Sequence, residues 1–212
     1  MPRPASRSSF YDQPLWQFVA LMAFTLSAIA PRDRLTWWLD AAPALAIYVL
    51  VWLSHRLLPL SAMTRWLLLA LMLTILIGAH YGFAEVPAFE QLGEAFGRRR
   101  NEFDKFAHLL QGFVPAIAFR ELFARLAIVP RPNWRSLLAV TAALALSALY
   151  ELAEWLAHVL LGGRAEAFIG SQGDAWDAQS DMAMALFGAL LAVGLLSRLH
   201  DRVLRQLDTI SM

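Results

Sequence analysis

Residues 64–84 read TRWLLLALMLTILIGAHYGFA, and this stretch decides the class of the fold. A helix needs about 20 predominantly apolar residues to cross the hydrocarbon core of a bilayer, which is roughly 30 Å thick. The stretch has that length, and Trp66 stands near its start, where indole rings favour the membrane–water interface. It predicts a transmembrane helix.

Five other segments meet the same length criterion when flanking Trp and Arg residues are placed at the interfaces. The sequence shows no internal repeat and no linker long enough to separate domains. We therefore predict an all-α, polytopic membrane protein with about six transmembrane helices in one bundle, a single integral membrane domain over residues 1–212. The six predicted spans are residues 14–31, 41–59, 64–84, 103–124, 135–162 and 178–198.

The composition of the whole chain supports this class. Of the 212 residues, 58% are hydrophobic and 17% are charged, and the mean hydropathy is +0.49. Soluble domains average about 45–50% apolar residues and about 25% charged residues. The absence of cysteine excludes disulfides, thiolate nucleophiles and cysteine-ligated metals, so a metal would need His, Asp, Glu or amide ligands. A net charge of +1 gives no basic field, and nucleic acid is not expected as a partner.

Positive charge is distributed unevenly between the two sides of the predicted bundle. With six spans both termini lie on one side, and that side carries eleven of the 18 Lys and Arg residues, against seven on the other. Because cytoplasmic loops are enriched in Lys and Arg, both termini are predicted to be cytoplasmic. The first span ends in Ala28-Ile29-Ala30, a pattern of signal peptides, but Pro31 disfavours cleavage, so we expect an uncleaved anchor.

The fourth span carries ionisable residues inside an otherwise apolar run. It opens FDKFAHLLQG, and on a helix that advances 100° per residue Asp104, His108 and Gln111 fall within about 60° of one another. Pro115 removes the backbone hydrogen bond to the Gln111 carbonyl, which predicts a kink close to this polar face. Such groups at membrane depth need partners from protein or water.

Two more polar clusters accompany the last two spans. Glu151 and Glu154 share one face of the fifth span, and carboxylates in the apolar layer are costly unless they are paired, protonated or bound to a cation. Asp174, Asp177 and Asp181 precede or open the sixth span. Because successive spans alternate in direction, all three clusters fall on the non-cytoplasmic side, and we expect them to converge in one leaflet.

The sixth span also predicts close helix packing. The face that carries Asp177 and Asp181 continues to Ala185 and Gly188, and small residues let neighbouring helices approach closely.

Each polar residue also has a purely structural interpretation. Asp104 and Asp174 can be acids in the first turn of a helix, the former behind an Asn101 cap, and Asp104 can satisfy the ring of His108 one turn away. The two glutamates of the fifth span can simply form hydrogen bonds between helices.

The interpretation of the remaining interfacial residues is conventional. Arg98, Arg99 and Arg100 are interpreted as a solvated loop run or as contacts to lipid head groups. Tryptophans near the span ends are interpreted as interfacial anchors. These are Trp16, Trp37, Trp38, Trp66, Trp134 and Trp176.

The motifs in this order resemble the YjdF-like bacterial inner-membrane proteins, a family of unknown function. The resemblance rests on residues 103–121, which contain Asp-Lys-x-x-His-x-x-Gln-Gly, on 150–155 and on 170–182, so it covers essentially the whole chain. More weakly, the chain is similar to the VanZ-like family, whose association with glycopeptide resistance implies envelope chemistry. The resemblance implies a multi-pass protein of the bacterial inner membrane in contact with the lipid bilayer, and it supplies no reaction.

The first functional hypothesis is an enzyme that acts on a lipid or lipid-linked envelope substrate at the outer leaflet. Its catalytic groups would be His108, Glu151 and Glu154, with Gln111 and Asp174 contacting a bound cofactor. The expected cofactor is a divalent metal ion, because carboxylates suit hard cations and imidazole suits Zn²⁺ or Mn²⁺. The predicted metal ligands are Asp104, His108, Glu154, Asp177 and Asp181.

Two alternatives belong to other functional classes. In a small proton- or cation-coupled transporter, Glu151 and Glu154 would change protonation as access to the site alternates. In a membrane assembly protein, the polar face would bind another membrane protein through hydrogen bonds between helices. The sequence alone does not choose between an enzyme and these two alternatives.

Overall fold

The computed structural model describes residues 13–162, 168 and 171–210, and across these ranges it contains helices and no strand. The prediction of an all-α fold is confirmed. In chain order the helices are α1 (Gln13–Ser27), α2 (Arg34–Leu57), α3 (Ala62–Tyr81), α4 (Pro87–Ala95), α5 (Phe103–Arg125), α6 (Pro132–Leu161) and α7 (Asp177–Ile210).

Four of these helices, α2, α3, α6 and α7, are long and apolar enough to cross a membrane. The chain is therefore a polytopic membrane protein, as predicted. The helix α5 has the length of a span at 23 residues, but it includes five charged residues, and α1 is described over 15 residues. The count of six spans, the single domain and the cytoplasmic termini stay predictions.

Local sequence signals set the helix ends. Asp33 accepts a hydrogen bond from the Thr36 N–H (2.7 Å) and so caps the start of α2; this bond lowers the pKa of Asp33. Ser61 caps α3 in the same way through the Thr64 N–H. Gly82 follows α3 with a φ of +87°, a conformation that glycine adopts without steric cost.

The short helix α4 is a feature that the sequence analysis did not predict. It lies between α3 and α5, and its Phe89 packs edge-on against Phe103 with ring centroids 5.2 Å apart. The side-chain amide of Asn101 donates to the Val86 carbonyl (2.9 Å). These contacts seat α4 against the start of α5.

Three apolar clusters form the core of the described ranges. The first joins α1, α2 and α3, the second joins α5, α6 and α7, and a smaller third cluster packs Val86 against Phe103 and Ala107 of α5. Trp16 and Trp37 belong to the first cluster, each only 3% exposed, and their indole N–H groups donate to the Arg65 carbonyl (2.8 Å) and to Ser27 Oγ (3.0 Å). The interpretation of these two tryptophans as interfacial anchors was wrong, because both indoles are buried between helices.

The closest helix pair is α5 against α7. A Cβ atom on Gly112 would overlap the carbonyl of Ala185, and one on Gly188 would overlap the carbonyl of Leu109. The predicted close approach at Ala185 and Gly188 is therefore confirmed, and it brings the polar starts of α5 and α7 together.

Candidate functional site

Ionisable side chains from α5, α6 and α7 meet at one end of the bundle. The Nε2 atom of His108 lies 3.6 Å from Asp104 Oδ1 and 3.5 Å from Glu151 Oε1. One ligand atom each from Asp104, His108 and Asp181 lie within 4.8 Å of one another. All four side chains are buried. The structure thus gathers residues from each of the three polar clusters.

The imidazole of His108 has unused hydrogen-bonding capacity. Its Nδ1 atom and Glu151 Oε1 are both buried and have no hydrogen-bond partner among the described residues. The distance to Asp104 is too long for a hydrogen bond, so the structural interpretation in which Asp104 satisfies this ring was wrong. Tyr150 places its ring edge-on to the imidazole at a centroid distance of 6.1 Å.

Two cations that the sequence analysis did not assign to the site lie beside it. Lys105 Nζ donates to Asp177 Oδ1 and to Asp181 Oδ1 at 2.9 Å each and also bonds Ser180 Oγ. Arg100 forms an ion pair with Asp177 and a second one with the neighbouring Asp174 (3.3 Å). Lys105 sits about 100° around the helix from Asp104, which turns it towards α7.

The structure corrects part of the interpretation of the arginine run. Arg98 does lie at the surface, where it forms an ion pair with Glu102 (3.5 Å). Arg100 is instead engaged by two aspartates, and its guanidinium side chain is only 21% exposed. Partial burial lowers the pKa of Arg100, but the hydrogen bond and charge of Asp177 outweigh it, so the pKa is raised and Arg100 remains a cation.

The loops that precede α5 and α7 are tied to each other. The Gln172 side chain donates to the Asn101 carbonyl (2.9 Å) and accepts from the Asn101 N–H (3.0 Å). Asn101 Oδ1 also accepts from the Phe103 N–H (3.1 Å), but the N-cap position of α5 is occupied by Glu102 and not, as predicted, by Asn101. Asp174 Oδ1 accepts from the Trp176 N–H (2.9 Å) in the turn before α7, and since α7 begins at Asp177, the interpretation of Asp174 as an acid of its first turn was wrong.

The predicted metal ligands divide into three groups. Asp104, His108 and Asp181 are close enough to share one ion. Asp177 is engaged by both Lys105 and Arg100, and Lys105 also takes one oxygen of Asp181. The fifth predicted ligand, Glu154, faces a neighbouring cavity.

This cavity of about 570 Å³ lies between α2, α3, α5 and α6, and all four helices contribute to its lining. Its polar lining lies mainly at one end, where Asp104, His108, Gln111 and Glu154 contribute. The remainder is almost entirely apolar and reaches Leu60 and Leu122 at the other end of the helices; Ser54 Oγ there donates to the Val51 carbonyl. Pro115 lines the cavity midway, and α5 continues past it.

Asp40 on α2 is an acidic group that the sequence analysis missed. It is 1% exposed, and neither of its carboxyl oxygens has a hydrogen-bond partner in the part of the chain that the structure describes. It shares a helical face with Pro43 and Ile47, which line the cavity. The predicted span began at residue 41 and left Asp40 in a loop, whereas α2 begins at Arg34 and carries it into the helix.

A second buried polar network lies at the opposite end of the bundle. Glu121 accepts hydrogen bonds from the Ser61 N–H (2.6 Å), the Ser61 hydroxyl (2.7 Å) and the Thr64 hydroxyl (2.5 Å). Its Oε2 atom also faces His200 Nε2 at 3.3 Å. This carboxylate thereby links α3, α5 and α7.

Arg120 completes this second network. It donates to both carboxyl oxygens of Asp201 (2.9 Å each), to Ser136 Oγ (3.1 Å) and to His200 Nδ1 (3.2 Å). Because a guanidinium only donates, Nδ1 of His200 must accept, and the ring therefore carries its proton on Nε2 and donates to Glu121. The network satisfies its members internally and serves to join helices.

Comparisons with known proteins agree with the resemblance seen in the motifs. The chain is 38% identical over 185 residues to the inner membrane protein YjdF of Escherichia coli (strain K12), which covers 87% of this chain and 88% of that protein. No solved structure matches. A family model described as a predicted membrane protein (DUF2238) matches residues 13–202, and the chain therefore belongs to this family of membrane proteins.

Proposed function

We propose that this protein holds the apolar chain of a lipid or lipid-linked molecule in the cavity and acts on its polar end beside His108. The observation that carries the proposal is the cavity itself, which is apolar along most of its length and ends at Asp104, His108, Gln111 and Glu154. A molecule with one long apolar part and one polar end matches both parts of this lining.

The dimensions of the cavity support an acyl-chain occupant. Its lining runs along α5 from Asp104 to Leu122, and these 18 residues correspond to about 27 Å at 1.5 Å per residue. An apolar space of this size costs dispersion contacts when it is empty. A hydrocarbon chain from the bilayer would restore them.

The groups at the polar end support acid–base chemistry on the head group. Imidazole and carboxylate side chains are the usual general acids and bases, and His108 has a free Nδ1 while Glu151 has a free Oε1 among the described residues. Glu154 and Gln111 border the same space. Asp174 lies in the loop before α7, where it pairs with Arg100, so it is not a contact to this cavity.

A divalent cation is part of this proposal. Asp104, His108 and Asp181 would provide two carboxylates and one imidazole, and catalytic zinc sites commonly use three protein ligands and keep one position open. A cation held there would face the polar end of the cavity, since Asp104 and His108 also line it.

The lining favours this function over the transporter alternative. A path for protons or ions needs polar groups across the whole membrane, and the described cavity becomes apolar beyond Gln111 and Tyr150. The buried Glu121 lies beyond that apolar part, in a network of its own. Glu151 and Asp104 face the interior of the bundle, which also differs from an external assembly surface.

The test is to fill the cavity and measure the bound lipid. Ala118 lines the cavity, whereas Ala145 is exposed on the outer face of α6, so Ala118→Phe and Ala145→Phe add the same side chain in two environments. We expect Ala118→Phe to lose most of the lipid that co-purifies with the full-length protein, as measured by lipid mass spectrometry. Ala145→Phe should retain it. Equal lipid content in both variants refutes the proposal.

Elemental analysis of the same preparations tests the metal part separately. The unchanged protein should contain a stoichiometric divalent metal, and Asp181→Asn should lose it. The exposed Glu94 offers a matched control, because Glu94→Gln also removes one carboxylate. Metal-free wild-type protein, purified without chelators, would contradict this part and leave the lipid-binding part standing.

A further inference from the structure

We infer that the polar end of the cavity selects an amphiphile with a cationic amine head group, held by Asp40, Glu151 and Glu154. The inference rests on the proposed function and names the chemical class of its substrate. Two observations support it, namely the excess of carboxylates and the unpartnered hydrogen-bond acceptors at this end of the bundle.

The first step is the balance of charge. Arg100 and Lys105 face the aspartates at the start of α7, whereas Asp40, Glu151 and Glu154 on α2 and α6 form no ion pair with a Lys or Arg among the described residues. No Lys or Arg lines the described cavity. The α2 and α6 side therefore keeps an excess of acid.

The second step is the set of unpartnered atoms. Both carboxyl oxygens of Asp40 and one of Glu151 are buried and, within the described ranges, lack a hydrogen-bond partner. Asp40 is 1% exposed and Glu151 is 9% exposed. Ionised carboxylates only accept hydrogen bonds, and an ammonium group offers three N–H donors together with a positive charge. A phosphate would bring more acceptors and a like charge.

The third step is the position of these groups relative to the apolar part. Asp40 lies six residues after the start of α2 and Glu154 lies seven residues before the end of α6, about 9 Å and about 10 Å along the two helices. Asp40 shares a helical face with Pro43 and Ile47, which line the cavity. Since Glu154 lines the cavity and Asp104 and His108 stand beside it, the acidic groups surround the end at which the head group of a bound amphiphile would lie.

The experiment compares three probes with the same hexadecyl chain, namely hexadecylamine, hexadecan-1-ol and hexadecyl phosphate. Each is titrated against the full-length protein in lipid nanodiscs, and binding is measured by native mass spectrometry. We expect hexadecylamine to bind at least about tenfold more tightly than the alcohol, which corresponds to about 1.4 kcal/mol. The phosphate should bind more weakly than the alcohol.

Isosteric variants assign this preference to the acidic groups. Asp40→Asn and Glu154→Gln should each reduce the ratio of amine affinity to alcohol affinity, and continued binding of the alcohol shows that the cavity is still folded. Glu94→Gln removes an exposed carboxylate on the same side and should retain the full preference.

The possible results distinguish a failure of the amine inference from a failure of the proposed function. Equal binding of all three probes, or tightest binding of the phosphate, overturns the inference while the cavity proposal stands. An amine preference that survives in both Asp40→Asn and Glu154→Gln also overturns it. If no probe binds and Ala118→Phe retains its lipid, the proposed function itself fails.

Discussion

Replacing Gly112 by alanine tests the close contact between α5 and α7 at Ala185. The new Cβ would overlap the carbonyl oxygen, carbonyl carbon and Cα of Ala185, all of which are backbone atoms of α7. A backbone cannot rotate out of the way as a flexible side chain does, so α5 and α7 must separate. We expect Gly112→Ala to destabilise the protein, although alanine is normally the better helix former.

The magnitude follows from two opposing contributions. Alanine in place of glycine inside a helix stabilises by about 0.8–1.0 kcal/mol. Overpacking a tight contact costs about 1–3 kcal/mol and occasionally more, and a clash with backbone falls at the upper end. The net loss is therefore about 1–2 kcal/mol, equivalent to about 2–8 °C in Tm at about 2–4 °C per kcal/mol for a chain of this size.

A second glycine provides the matched control. A Cβ on Gly194, also in α7, would meet no heavy atom within 4 Å, so Gly194→Ala should be neutral or slightly stabilising. The measurement is thermal unfolding of both variants and the unchanged protein in the same detergent. If Gly112→Ala unfolds at or above the wild-type temperature, α5 and α7 do not approach each other closely enough at Ala185 to produce a clash, and the argument fails.

Two further predictions concern buried charges. Arg120→Ala should cost about 1–3 kcal/mol of unfolding free energy because it leaves His200 Nδ1 without its donor and leaves Asp201 only the longer contact to Arg135 (3.9 Å). The exposed Arg202→Ala should change stability by less than about 0.5 kcal/mol; equal losses in a denaturant titration would contradict this. Lys105→Met should destabilise most at neutral pH and progressively less as acid protonates the aspartates that Lys105 contacts. A pH-independent loss would show that Lys105 acts through packing alone.

The sequence was sufficient for those features that depend on one helix at a time. Apolar runs of sufficient length predict helices in a membrane, and the alternation of spans predicts that the starts of α5 and α7 lie with the end of α6. Helical spacing alone then places Asp104 and His108 on one face. These inferences need no knowledge of which helices pack side by side.

Features that depend on how two helices pack against each other could not be predicted from the sequence. The cavity exists because α2 packs on α3 and stands away from α5 and α6, and no pattern in one span specifies that separation. The sequence indicates only that Lys105 lies at the start of a helix, whereas the structure shows that it contacts Asp177 and Asp181 of α7. Trp16 and Trp37 have the spacing of interfacial anchors, and only the neighbouring helices show that they are buried.

The buried network around Arg120 and Glu121 has a consequence for how the chain is made. On an isolated α5 these two charges would have no partners, and unpaired charges in an apolar layer are costly. Their partners Ser61 and Thr64 are synthesised before them, but His200 and Asp201 follow some 80 positions later in translation. The polar groups of α5 are therefore fully paired only after the ribosome has delivered α7.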